Sequence, residues 1–112
     1  MVETSNVNFG DIVYLNFNPQ AGHEQAGRRP ALVISNDILN QHSSMAMVCP
    51  ITNTNKRHPL HVPLDERTST TGVILCDQAK MFDMKARKAE LIEKAPTDII
   101  EEARDIVKSF IA

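Results

Sequence analysis

The chain has no tryptophan, one tyrosine and four phenylalanines, so aromatic rings make up 4% of its 112 residues. A row of exposed aromatics on which unpaired bases stack is therefore not the obvious design. Cysteine is scarce as well. Cys49 and Cys76 allow one bridge at most, too few for a disulfide-stapled scaffold, and each sits in an apolar run where a buried free thiol is expected. No sign of charge dominates: the formal net charge is -2 and the isoelectric point about 6.0. That argues against a protein that coats nucleic acid through its overall field, but leaves room for a local basic cleft. No apolar run approaches membrane length, and the opening MVETSNVNFG has no basic segment followed by an apolar one. The expectation is a cytoplasmic protein that does not engage membranes. There is no Walker-type glycine loop and no metal-site arrangement of His, Cys, Asp and Glu, so neither cofactor nor metal is expected.

What is present is a hydrophobic fraction of 42% in a length that suits one domain, taken as residues 1–112. Val13, Leu15 and Phe17 alternate in a first strand over 11–17. Pro30 leads into a second apolar run at 31–35, and 45–51 reads as a third. A fourth covers 60–64, with Pro63 placing it at an edge or bulge. A fifth covers 72–76 and continues toward residue 82, and 89–93 adds a last piece. Residues 36–44 are polar and read as a loop with at most one helical turn. The period then changes: Ile99, Ala103, Ile106 and Phe110 follow helical spacing, with Thr97 or Asp98 as the expected cap. Short strands and one terminal helix imply a mainly β fold, a small curled antiparallel barrel with a C-terminal helix.

Loops held by a rigid sheet are where chemistry concentrates. Gly22-His23-Glu24-Gln25-Ala26-Gly27-Arg28-Arg29-Pro30 packs an acid, an amide and two guanidinium groups into nine residues. Pro30 restrains Arg29 to extended backbone just before the core run. An arginine fixed there suits a phosphate, because its planar fork binds two oxygens and keeps its charge. The second loop begins at Thr52, whose hydroxyl at a strand end can bond a phosphate oxygen. Basic residues also gather at 56–58, including Lys56, and at 80–88, including Lys80.

Taken together these segments, with Gly10-Asp11-Ile12-Val13, Pro50-Ile51-Thr52, Gly72-Val73 and Asp77-Gln78-Ala79-Lys80, resemble the MazF/PemK family of toxin endoribonucleases over roughly residues 8 to 112. The resemblance implies a barrel related to SH3 barrels, a homodimer, an antitoxin that blocks RNA, and sequence-specific cutting of single-stranded RNA. It puts the family's catalytic arginine on Arg29 and its catalytic threonine on Thr52. Glu24 falls on the acid of the family's flexible loop, with Gln25 beside it. Asp77 and Gln78 fall on the pair after the fifth strand, to support the loops or contact RNA. Some relatives carry histidine where this chain has Arg28, so the role of Arg28 stays open.

The family's reaction is attack of the ribose 2'-hydroxyl on the adjacent phosphate. The substrate carries its own nucleophile, and the protein's work is alignment and charge stabilisation. No residue is singled out as the base. His58 and His61 are close, but a strand beginning at Pro59 sets them on opposite faces, so a catalytic histidine pair is not expected. His23 and His42 read as solvated loop residues. The alternative is a non-enzymatic toxin of the same fold that binds and poisons DNA gyrase through its C-terminal helix.

Overall fold

A computed structural model describes residues 5–18, 22, 27–53 and 57–111. Among them seven strands form one sheet: β1 (Asp11–Asn16), β2 (Arg28–Val33), β3 (Met45–Thr52), β4 (His61–Pro63), β5 (Val73–Leu75), β6 (Lys80–Asp83) and β7 (Glu90–Lys94). Two helices complete the fold, α1 (Asp37–His42) after β2 and α2 (Thr97–Ser109) at the end. The strand order is β4-β5-β3-β2-β1-β7, with β6 branching from β3.

Neighbouring residues on each central strand feed two cores, which is why these strands read as near-continuous apolar runs. Ile12, Leu32, Cys49, Ile51, Val62 and Ile74 face one side and meet Ile99, Ile100, Ala103 and Val107 of α2. Val13, Leu15, Ala31, Val33 and Val48 face the other and meet Phe17, Phe82 and Met84. The mainly β architecture with a C-terminal helix is thus as expected. At the tight entry to β1, Gly10 holds φ +90, and a Cβ there would lie 2.4 Å from Cδ1 of Ile100. A side chain there would have to displace the end of Ile100 and adopt a strained backbone, which glycine avoids.

Three local expectations are corrected. The sheet curls but does not close into a barrel: the strand path ends at β4 and β7. These ends are joined by a side chain instead of a ladder. Glu93 of β7 accepts bonds from Ser69 and Thr70 in the β4–β5 connection, while α2 fills the curl. Second, β2 begins at Arg28, three residues before the apolar run, because β1 extends far enough to pair Leu15 with Arg29 and Asn16 with Arg28. Third, neither Thr97 nor Asp98 caps α2. Pro96 occupies the cap position with no side-chain bond, and the Asp98 carboxylate is taken by Arg67. The polar stretch after β2 does form a short helix, α1, capped by Asn36, whose side chain accepts from the Leu39 N–H.

β3 changes partner along one edge. Its first half, Met45 to Val48, pairs with β6, and its last residues, Ile51 and Thr52, pair with β5. Pro50, which has no N–H to give, sits at that change. The end of β3 is thereby delivered between β2 and β5, where the candidate site lies. None of the helices is long and apolar enough to cross a membrane among the described residues.

Candidate active site

The β2–β3 ladder pairs Ala31 with Pro50 and Leu32 with Cys49. Continued two residues, the same register sets Arg29 across from Thr52. Residues directly opposite in an antiparallel pair project to the same face. That face is the one away from α2, since Ala31, Val33 and Val48 share its parity and pack in the second core. Both Arg29 and Thr52 are half-buried. Arg29 is paired with Leu15 of β1, and the following Pro30 restricts it to extended backbone.

Thr52 is fixed from its other flank by the β4–β5 connection. Thr52 pairs with Val73, and just before it Gly72 presses against the Thr52 backbone. A Cβ on Gly72 would stand 2.5 Å from the Thr52 carbonyl oxygen, at a φ of +120. Thr71 donates its hydroxyl to the Asn53 side chain at 3.0 Å. The connection is itself anchored twice. Glu93 receives the backbone N–H groups of Ser69 and Thr70 at 3.1 and 2.8 Å, and their hydroxyls at 2.8 and 2.7 Å. Burial pushes the Glu93 carboxyl up, but the Thr70 and Ser69 donors outweigh it and hold the group at about 2. Arg67 spans Asp65 and Asp98, with 2.8 Å to the former and 2.9 Å to the latter. Its bonds hold both carboxyls below their ordinary range.

The remaining predicted residues are distributed as follows. Arg28 precedes Arg29 on the strand and therefore faces the opposite way. It donates to Glu90 at 2.8 Å and to the Lys88 carbonyl at 2.9 Å, and its guanidinium lies 5.3 Å from the Tyr14 ring centre. The structure does not bring it to Thr52. Asp77 and Gln78 occupy a single 3-10 turn, Cys76–Gln78, between β5 and β6. Lys80 opens β6 opposite Val48, on the Thr52 side of β3 but four residues away, with its ammonium 5.6 Å from the Phe82 ring centre. Glu24, Gln25, Lys56 and His23 lie outside the described residues.

The histidines depart from expectation. β4 begins at His61, not at Pro59, and residues 58–61 form a turn in which the His61 N–H donates to the His58 carbonyl at 3.0 Å. Pro59 occupies the second position of that turn, where its fixed φ is favoured. The turn folds His58 back over His61, and the rings stack with centres 4.5 Å apart and planes 28° apart. His61 Nε2 lies 3.2 Å from Asp77 Oδ1. The His-Pro-Leu-His order was the available signal, with proline marking a turn instead of a strand start.

Cys49 and Cys76 are buried and unbridged, as expected. A hydrogen bond to the Cys76 thiol, then burial, pushes the Cys49 thiol up, so it is no nucleophile. Among the described residues no group of three or more His, Cys, Asp or Glu side chains is arranged to hold a metal ion.

Residues 8–111 match the family described as PemK-like, MazF-like toxin of type II toxin-antitoxin system. The chain belongs to this family. Among curated toxins of the PemK/MazF group, it is 43% identical over 108 residues to the endoribonuclease toxin ChpB of Escherichia coli strain K12, covering 92% of each chain. It is 36% identical over 102 residues to the endoribonuclease PemK of Escherichia coli, covering 88% of this chain and 77% of that one. Its fold superposes on MazF from Deinococcus radiodurans with a TM-score of 0.88 at 40% identity, covering 94% of this chain and 96% of that one. A MazE-MazF crystal structure from the same organism gives 0.82 at 40% identity, covering 94% and 95%.

Proposed function

We propose that this PemK/MazF-family toxin is an endoribonuclease that cuts single-stranded RNA at specific short sequences, with Arg29 and Thr52 as its catalytic residues, and so stops translation and growth. The observation that carries this reading is the β2–β3 register, which continued two residues beyond Ala31 and Pro50 sets Arg29 opposite Thr52 on one face, with Arg29 paired to β1 and Thr52 to β5. The endoribonuclease names of its relatives point the same way and favour cleavage over gyrase poisoning.

The reaction needs a nucleophile that the substrate already carries. The ribose 2'-hydroxyl attacks the adjacent phosphorus, the bond to the 5' oxygen breaks, and the products end in a 2',3'-cyclic phosphate and a 5'-hydroxyl. No metal-bound water is required by this route. Negative charge builds on the phosphorane oxygens, and Arg29 presents two parallel donors to them. The Thr52 hydroxyl donates to a second oxygen from a fixed strand end. Fixed donors cost no reorganisation when charge develops.

Two partners complete the reading. The crystal structure of MazE with MazF supports a cognate antitoxin for this chain, whose acidic tail would compete with RNA near Arg29 and act in the cytoplasm where mRNA is found. A homodimer is the working form. The apolar groove of about 610 Å³ between α1, β3, β6 and the end of α2, lined by Met47, Met81, Val107 and Ile111, is the surface assigned to that contact. Ile111 at its rim is 84% exposed in the single chain.

The deciding experiment maps the ends produced from a long mixed-sequence RNA with chelator present. Cuts at recurring short sequences with 2',3'-cyclic phosphate and 5'-hydroxyl ends are expected. Cleavage that chelator abolishes, or 5'-phosphate ends, would replace this mechanism with hydrolysis by water.

A further inference from the structure

The stacked histidines lie on the same sheet face as the catalytic pair. Thr52 pairs with Val73, and Val73 with Pro63. His61 is two residues before Pro63 and so projects to that same side, while Val62 between them is buried under α2. By ordinary strand spacing His61 stands about 12 Å from Thr52, two strands across and two residues along. That is too far for either imidazole to reach the reacting phosphate, and near enough for a neighbouring nucleotide.

Each ring is held in a fixed pose. His58 Nδ1 accepts the Leu60 N–H at 3.1 Å, so in the neutral ring the proton sits on Nε2. His61 Nε2 points at Asp77, while its Nδ1 is buried and has no hydrogen-bond partner among the described residues. His61 is thus held as a flat backing for His58, whose own side chain is exposed. The phenylalanines on this side do not compete for the role: Phe17 and Phe82 are 5% and 6% exposed and pack edge to face against each other. In a chain this poor in aromatics, the imidazole stack supplies an open π face on the substrate side among the described residues.

We propose that His58, backed by His61 and Asp77, is a stacking platform for one unpaired nucleobase of the RNA, a subsite offset from the scissile phosphate. The proposal rests on the RNA-cleavage reading. A stacked base contributes binding shared by ground and transition states, so the platform acts on KM more than on kcat.

The test uses oligoribonucleotides bearing one mapped cut site, with an abasic ribose walked through each flanking position. They are assayed on the full-length protein and on His58→Ala and His58→Phe. With the unaltered protein, one position away from the cut should lose about 10-fold in kcat/KM on losing its base, within the range of a base–aromatic stack. His58→Ala should show a similar loss on intact RNA, carried by KM, and no further penalty at that abasic position. His58→Phe, which keeps the π face, should retain most of the binding. An abasic profile that is the same in His58→Ala as in the unaltered protein overturns the platform while leaving RNA cleavage standing, as does a Phe variant as weak as Ala. A protein that cuts no RNA at all removes the cleavage reading and the platform with it.

Discussion

Thr52 is held from two flanks by different means. On the β2 side the restraint is backbone: the β1–β2 ladder holds Arg29, and the β2–β3 register, continued two residues beyond Ala31 and Pro50, sets it opposite Thr52. On the β5 side it is largely side-chain chemistry. Glu93 gathers four donors from Ser69 and Thr70, Arg67 bridges Asp65 and Asp98, and Gly72 fits against the Thr52 carbonyl. A ladder tolerates most side-chain substitutions and fails only when its pattern breaks. A clamp of a few polar groups fails with one of them, and its strength follows pH. The β2 flank should therefore be sensitive in catalysis at Arg29 alone, whereas the β5 flank should be sensitive at several positions that never touch substrate.

The largest effect is expected at the charge itself. Arg29→Ala should lower kcat by about 100- to 1000-fold, the usual loss for one preorganised donor, with the folded state intact by circular dichroism. Arg29→Lys should recover only part, since a point charge lacks the two-pronged geometry. Thr52→Ala should also cripple turnover, and Thr52→Ser should keep some. Next comes Gly72→Ala. Its Cβ cannot be placed without moving the Thr52 backbone, and the positive φ adds strain of about 1–3 kcal/mol. Thermal stability and kcat should fall together, which separates it from Arg29→Ala.

Glu93→Gln should cost less in rate, because the amide keeps the size but turns one acceptor into a donor. Its pH signature is the sharper readout. The Glu93 carboxyl titrates lower in the folded chain than in the unfolded one, so the clamp is fully present above pH 4.5 and is lost as the pH falls toward about 2. The stability gap between the unaltered protein and Glu93→Gln, followed by denaturant melts, should be widest near neutrality and close as the pH falls through that window. A gap independent of pH would show that the carboxylate charge is not what holds the loop. The smallest effect belongs to Arg28→Ala. Its charge is spent on the exposed Glu90, so turnover should stay within about two-fold.

The same contrast explains what the sequence made legible. The ladder flank was readable because its signals are local. Alternation in Val13, Leu15 and Phe17, the apolar run after Pro30, and the restraint Pro30 puts on Arg29 all lie within a few residues of what they position. The C-terminal helix was equally readable from the spacing of Ile99, Ala103 and Ile106. The clamp flank was not, because its partners lie far apart in the chain: Glu93 is 24 residues from Ser69, and Arg67 is 31 from Asp98. Nothing local marks a strand glutamate as an acceptor for a distant loop. For the same reason the sequence showed a small curled barrel but not that its open ends meet through Glu93. One misplaced start has another cause. Pro59 stands where proline fits either a strand's first residue or the turn before it, and only tertiary packing decides.

The central claim, internal attack by the RNA's own hydroxyl on a phosphate held between Arg29 and Thr52, meets its most direct test in a single-atom change to the substrate. An oligoribonucleotide with one 2'-deoxy residue on the 5' side of a mapped cut site, assayed with chelator present, should bind as tightly as the all-ribose strand and resist cleavage at that site, while other sites in the same strand are still cut. Cleavage of the deoxy-substituted site would contradict the account, because the attacking oxygen would then have to come from water.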